Sequence, residues 1–246
     1  MTIISFQDIT KNYKSGFRKK KTALRDFSLD VCEGEVFGFL GPNGAGKSTA
    51  IKILLNLIFP TRGKAIIAGR DVGDKEARKA VGYLPENPYF YDYLNPLELL
   101  QFGGKTSGMF AGDILKRTEN LLHTVGLWKE RKRPIRSYSK GMVQRVGLAL
   151  ALIHDPKIVI LDEPMTGLDP IGRRQVIDLI LKLKHEGKTV FFSSHILEDI
   201  ERVCDRIGIL VNGSLVRTIS IASEHFEKPL EDIFIEEVEK AGGTQQ

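Results

Sequence analysis

Residues 41–48 read Gly41, Pro42, Asn43, Gly44, Ala45, Gly46, Lys47 and Ser48, a glycine-rich run that ends in a cation and a hydroxyl. Glycine lets successive backbone N–H groups turn towards one anion, and a helix starting at the end of such a run adds the positive end of its dipole. Lys47 would then place a full charge against the β- and γ-phosphates of a nucleotide. The Ser48 hydroxyl is a hard oxygen ligand of the kind that magnesium prefers. An apolar strand pattern at 36–40 precedes the run and a helical pattern at 49–57 follows it. That is the context in which G-x-x-x-x-G-K-[ST] forms a phosphate cradle rather than a plain turn. Gly41 through Thr49 are therefore assigned to nucleotide binding, with ATP and Mg2+ as the expected pair.

A second group able to do chemistry is Asp162 and Glu163, which follow the apolar residues 158–161. Such a strand emerges at the carboxyl edge of a parallel sheet, where open α/β folds bind ligands. Alone, two acids there would serve equally well as a polar cap. Beside a phosphate cradle they divide into two tasks, because neighbouring residues on a strand point to opposite sides. Asp162 is assigned to the magnesium shell, and Glu163 to the water that attacks the γ-phosphate.

Strands alternate with helices around these residues, so the fold class is α/β with a largely parallel sheet. Residues 3–9 and 23–31 alternate apolar with polar, as antiparallel strands open to water on one side do. The basic run Arg18, Lys19, Lys20, Lys21 between them reads as a solvated hairpin loop, with contact to lipid or a partner left open. From 88 to 155 the pattern turns helical, beginning near Asn95 and Pro96. Within that stretch Met142, Val146, Ala149 and Ile153 form one stripe of a helix starting near Ser139. Beyond 223 an acidic stretch around Leu230, Ile233, Phe234 and Val238 predicts an amphipathic terminal helix. The expected organisation is a core of 1–87 with 156–222, a helical insert at 88–155, and a tail at 223–246.

A net charge of +5 does not choose among nucleotides, anionic lipid and nucleic acid. The two cysteines, Cys32 and Cys204, are far apart and suggest buried thiols rather than a disulfide framework or zinc site. Apolar runs are far shorter than the ~20 residues of a membrane helix. Action at a membrane would therefore need another chain to cross it.

With these groups in place, residues Tyr138, Ser139, Lys140, Gly141, Met142, Val143, Gln144 and Arg145 resemble the signature segment of ABC ATPases, commonly L-S-G-G-Q. Gly167, Leu168 and Asp169 resemble the family's D-loop, and Ser194 with His195 resembles its switch histidine. Tyr13 stands where the family has an adenine-stacking aromatic. Apart from that order, Tyr13 reads as a core aromatic and His195 as a loop histidine. The resemblance spans about residues 3–215. It implies a P-loop NTPase fold of RecA-like type, with an antiparallel β subdomain at its N-terminus and an inserted helical subdomain that carries the signature.

The resemblance also implies a transport ATPase under a separate membrane-spanning permease subunit, at the cytoplasmic face of the cell membrane. Two copies would pair head to tail, each ATP lying between the cradle of one chain and the Ser139–Gly141 region of the other. Lys47, Glu163 and His195 are then the catalytic set. Lys140 and Met142 depart from the common signature in a way that resembles drug-, polysaccharide- and lipid-exporting members, which favours export. Glu86 replaces the usual glutamine near magnesium and the transmembrane interface, and a metal-side role is carried over to it. The competing readings are a soluble ABC protein on DNA or ribosomes and a small-molecule kinase or GTPase. The chain has one cradle rather than a tandem pair and no long heptad insertion, which opposes the first, so no nucleic-acid partner is expected. The second leaves Ser139 to Arg145 unexplained.

Overall fold

The computed structural model describes residues 1–15, 19–221 and 228–242. Thr2–Ser15 (β1) and Lys19–Cys32 (β2) pair antiparallel as a long ribbon. Both strands outrun the alternating segments seen in the sequence. Lys19, Lys20 and Lys21 belong to β2 rather than to a loop, Lys20 opposite Lys14 and Lys21 opposite Tyr13. A backbone ladder needs no apolar residues, and β2 is the outer strand of its sheet, where lysine is tolerated and discourages further pairing. Arg18 lies outside the described residues.

Val36–Leu40 (β3) leads through the glycine run into Lys47–Leu54 (α1). The helix starts two residues before the sequence pattern and ends three before it, bounded by left-handed Gly46 and Asn56. Arg62–Ile67 (β4) and Arg70–Asp71 (β5) complete a four-stranded sheet in the order β2-β1-β4-β5. Sequence pattern did not mark β4, which presents only three residues to the interior after an exposed Arg62, Gly63 and Lys64.

Lys75–Lys79 (α2) and Val81–Leu84 (β6) follow. Next come Pro96–Thr106 (α3), Ala111–Thr124 (α4) and Lys140–Ala151 (α5). Asn95 caps α3 in a reciprocal capping box with Glu98, and Pro96 fits its first turn. Ser139 caps α5 by accepting from the Met142 N–H at 3.3 Å. Val146 and Ala149 are fully buried along α5, and Ile153 is buried just past its end.

Ile158–Asp162 (β7), Pro170–His185 (α6), Thr189–Ser194 (β8), Leu197–Val203 (α7), Arg206–Val211 (β9) and Ser214–Ser220 (β10) restore the alternation. The second sheet runs β10-β9-β3-β8-β7-β6, parallel except for β10. Strand alternation divides its two faces. Phe37, Phe39, Ile158, Ile160 and Phe191 join one core with Phe6 and Phe27 of the ribbon, the Phe37 and Phe191 rings stacking at 5.8 Å. Val159, Leu161, Val190 and Phe192 join the other core, under the helices. Leu230–Lys240 (α8) adds Leu230, Ile233 and Val238 to that second core. Glu224 and Glu227 lie outside the described residues. Cys204 is buried as expected, but Cys32 is exposed because it ends the outer strand.

Candidate functional site

The cradle is shaped by close backbone approach as much as by charge. Gly46 has φ 115°, and a Cβ there would stand 2.5 Å from the Ala23 carbonyl oxygen, so a side chain is excluded on two counts. Gly41 leaves β3 so tightly that a Cβ would meet the Leu210 carbonyl at 2.3 Å. The loop then turns back over its own lysine. Lys47 is only 6% exposed, and its Nζ donates to the Gly41 oxygen at 2.5 Å and to the Pro42 oxygen at 3.4 Å. These two carbonyls are neutral acceptors and do not themselves cancel a cation.

Glu163 balances that charge. One carboxylate oxygen lies 3.4 Å from Lys47 Nζ and the other 2.8 Å from His195 Nδ1. The Thr166 hydroxyl donates to the second oxygen at 3.4 Å. Asp162 has a separate set of partners, Ser193 Oγ at 2.7 Å and Ser48 Oγ at 3.4 Å. Strand alternation is not what separates the acids. Asp162 is the last residue of β7, and Glu163 has φ 50°, a left-handed turn that swings its carboxylate towards Lys47 and His195. Ser193 Oγ also accepts from the Glu163 N–H at 3.0 Å, so one hydroxyl supports both acids. Non-glycine residues in this conformation cost about 1–3 kcal/mol and cluster at working sites.

Burial pushes the Asp162 carboxyl above the ordinary carboxylate range. The Ser193 and Ser48 hydrogen bonds oppose the shift, and the charges of Glu86 and Glu163 add to it. The same surroundings push the half-buried Tyr83 up to about 12, chiefly by desolvation and then by Asp162 and Glu86. Asp162 has no cationic partner of its own among the described residues, unlike Glu163 with Lys47. Ser48 and Asp162 offer two hard oxygens side by side, which fits magnesium. Among the described residues no group of three or more His, Cys, Asp or Glu could hold a metal ion.

Glu163, Thr166 and His195 line one cavity of about 620 Å³, together with residues 42–49, Tyr13, Glu86, Lys14, Lys21 and Ala23, while Asp162 and Gly41 stand behind this lining. Tyr13 is 39% exposed at one end, with Lys11 Nζ 5.1 Å from its ring centroid. Glu86 is exposed and lines the same space. Ser139 and Gly141 are not part of the lining. Sequence reasoning missed Ser193 and Thr166. Ser193 had a detectable signal, a hydroxyl following the apolar residues 190–192, in the strand that the structure pairs with the Asp162 strand. Thr166 had none, since its place depends on the turn after Glu163.

The protein-family model described as ABC transporter matches residues 24–166. An uncharacterised ABC transporter ATP-binding protein of Synechocystis is 47% identical over 89% of this chain. The match spans 63% of that relative's own length, less than two thirds. The bacitracin transport ATP-binding protein BcrA of Enterococcus faecalis is 39% identical over 91% of this chain and 71% of its own. Among solved structures, a dimeric post-hydrolysis ATP-binding cassette bound to ADP and Pi superposes with a TM-score of 0.82. It is 27% identical and covers 91% of this chain and all of its own.

Proposed function

This chain belongs to the ABC transporter family, and on that premise we propose that it is an ATP-hydrolysing subunit that drives an exporter. The observation that carries this reading is the convergence of Lys47, Glu163 and His195, from three separate elements, on one cleft, while Ser139 and Gly141 stand outside it. The cradle and Lys47 hold the β- and γ-phosphates, and Tyr13 takes the adenine ring. Glu163 orients and deprotonates the attacking water, and His195 holds the Glu163 carboxylate at its working angle. Magnesium, held by Ser48 and Asp162 with Glu86 nearby, would neutralise charge on the phosphates.

A second copy, placed head to tail, would bring Ser139 and the Gly141 N–H to the open side of the nucleotide. The helix N-terminus at Ser139 suits that role. The dimeric cassette among the solved structures supports such pairing. The name of the bacitracin relative supports transport, and Lys140 and Met142 in the signature support the outward direction.

A separate permease would supply the membrane path and hold this chain at the cytoplasmic face, as the transport names of the relatives support; no described helix is itself long and apolar enough to cross a membrane. A groove lined by Tyr89, Phe90, Tyr91, Phe102 and Leu150 supports a covering partner, because Tyr89 is 92% and Phe102 53% exposed. In this reading residues 88–155 move as a lobe against the core of 1–87 and 156–222, with 223–246 as an appended tail.

The test is Glu163→Gln. Turnover should fall by ~10²–10⁴, the usual worth of a general base, while ATP still binds and an ATP-bridged dimer accumulates on size exclusion. Wild-type turnover in that variant would overturn the assignment.

A further inference from the structure

Gln144 lies in the first half of α5, is 1% exposed, and donates from Nε2 to the Pro164 carbonyl oxygen at 3.2 Å. Pro164 directly follows Glu163. Having no N–H, its carbonyl is the only backbone group through which that residue can be held. We propose that Gln144 is a positioning residue that locks the Glu163 turn to the signature end of α5, so that the carboxylate and the surface offered to a second chain move as one body. The inference rests on the reading that Glu163 handles the attacking water.

Three features favour a positioning role over simple support of the fold. Gln144 Oε1 is buried without a hydrogen-bond partner among the described residues. Replacing the side chain by an apolar one of similar length would trade that unpaired acceptor for an unpaired Pro164 carbonyl. The bond therefore adds little net stability, and its content is geometric.

The turn it holds is a strained one, in which left-handed Glu163 is closed by Thr166 N–H to the Glu163 oxygen at 3.2 Å and Leu168 N–H to the Met165 oxygen at 3.3 Å. Strained backbone persists only where neighbours over-determine it. The contact also continues to the tip of the helix. The Lys140 side chain runs across Gly167, where a Cβ would meet its Nζ at 2.8 Å, and Gly141 faces the Leu168 side chain. Val146 and Ala149 anchor the same helix in the core, so Gln144 ties the Glu163 turn to a fixed element that also carries Ser139.

The experiment compares Gln144→Met and Gln144→Glu with wild type in the full-length protein, reading kcat, KM for ATP and thermal midpoint. Gln144→Met should keep its thermal midpoint and KM while kcat falls by about tenfold, as expected when a catalytic group is slightly misplaced. Gln144→Glu can donate to the carbonyl only when protonated, so its kcat relative to wild type should recover as pH is lowered, and that of Gln144→Met should not. A thermal midpoint that drops with kcat unchanged would reduce Gln144 to a structural residue and overturn the proposal. Unchanged kcat in both variants, with Glu163→Gln inactive, would sink this inference alone. Full turnover in Glu163→Gln would sink it together with its premise.

Discussion

The cradle and the signature end of α5 are both built on helix N-termini, and they are finished in opposite ways. At the cradle, Lys47 is buried, bonded to the carbonyls of its own loop and ion-paired with Glu163. At α5, Ser139 and Lys140 are exposed, and the first turn contains no acid. Helix α3, in the same lobe, shows what a self-sufficient start looks like, with Asn95 and Glu98 closing the free N–H groups and Glu98 opposing the dipole. Lysine at the first position of α5 adds to the positive end instead of quieting it. The cradle is thus electrostatically balanced within its own chain, whereas the α5 terminus carries an uncompensated positive field that suits an anion brought from outside.

The severest way to break this contrast is Lys47→Ala. It removes the charge meant for the phosphates and leaves Glu163 without its buried partner. ATP binding measured by calorimetry should weaken by about 10²-fold or more, since truncating one half of a buried charge pair is costly. Retained affinity would mean that the cradle does not depend on that charge.

A sharper and smaller test compares two changes at Ser139. Ser139→Asp keeps an N-cap acceptor but neutralises the terminus, and Ser139→Ala loses the cap at about 1 kcal/mol. Both should leave ATP affinity of the monomer unchanged. In a Glu163→Gln background, sedimentation should show the aspartate variant losing most of the ATP-dependent dimer and the alanine variant less. Equal dimer fractions in all three proteins would remove the signature end from the shared site.

The smallest effect concerns the join between the two regions. Asp155, just before β7, is bridged to Lys188 at 2.8 Å and to Arg117 of α4 at 2.7 Å. The Lys188 hydrogen bond, aided by Arg117, holds its carboxyl below the ordinary range. A depressed folded-state pKa contributes stability above the unfolded value, and that contribution is lost as pH falls through the folded one. Asp155→Asn keeps a residue tolerant of the left-handed backbone there. It should destabilise by about 0–1 kcal/mol at neutral pH, because the Asp155 carboxylate is itself largely exposed, and by nothing in strong acid. Denaturant melts at both pH values would show a pH-independent gap if the bridges were irrelevant.

Much of this chain could be read from residue order alone. The glycine run between an apolar strand and a helix, the acids ending residues 158–161, and the stripe of α5 depend on periodicity and local backbone rules, which act over a few residues. Strand β4 and the lysines of β2 were not legible, because their pairing is decided by partners distant in the chain. Glu163 is the clearest case. Its presence at the strand end was evident, but its direction depends on a left-handed turn held by Ser193, Thr166 and the Pro164 carbonyl. Sequence therefore determined which chemical groups this protein has and roughly which edge they occupy. Only the tertiary structure decided which of them face each other, since side-chain direction at a turn is set by packing and hydrogen bonds between segments that are remote in sequence.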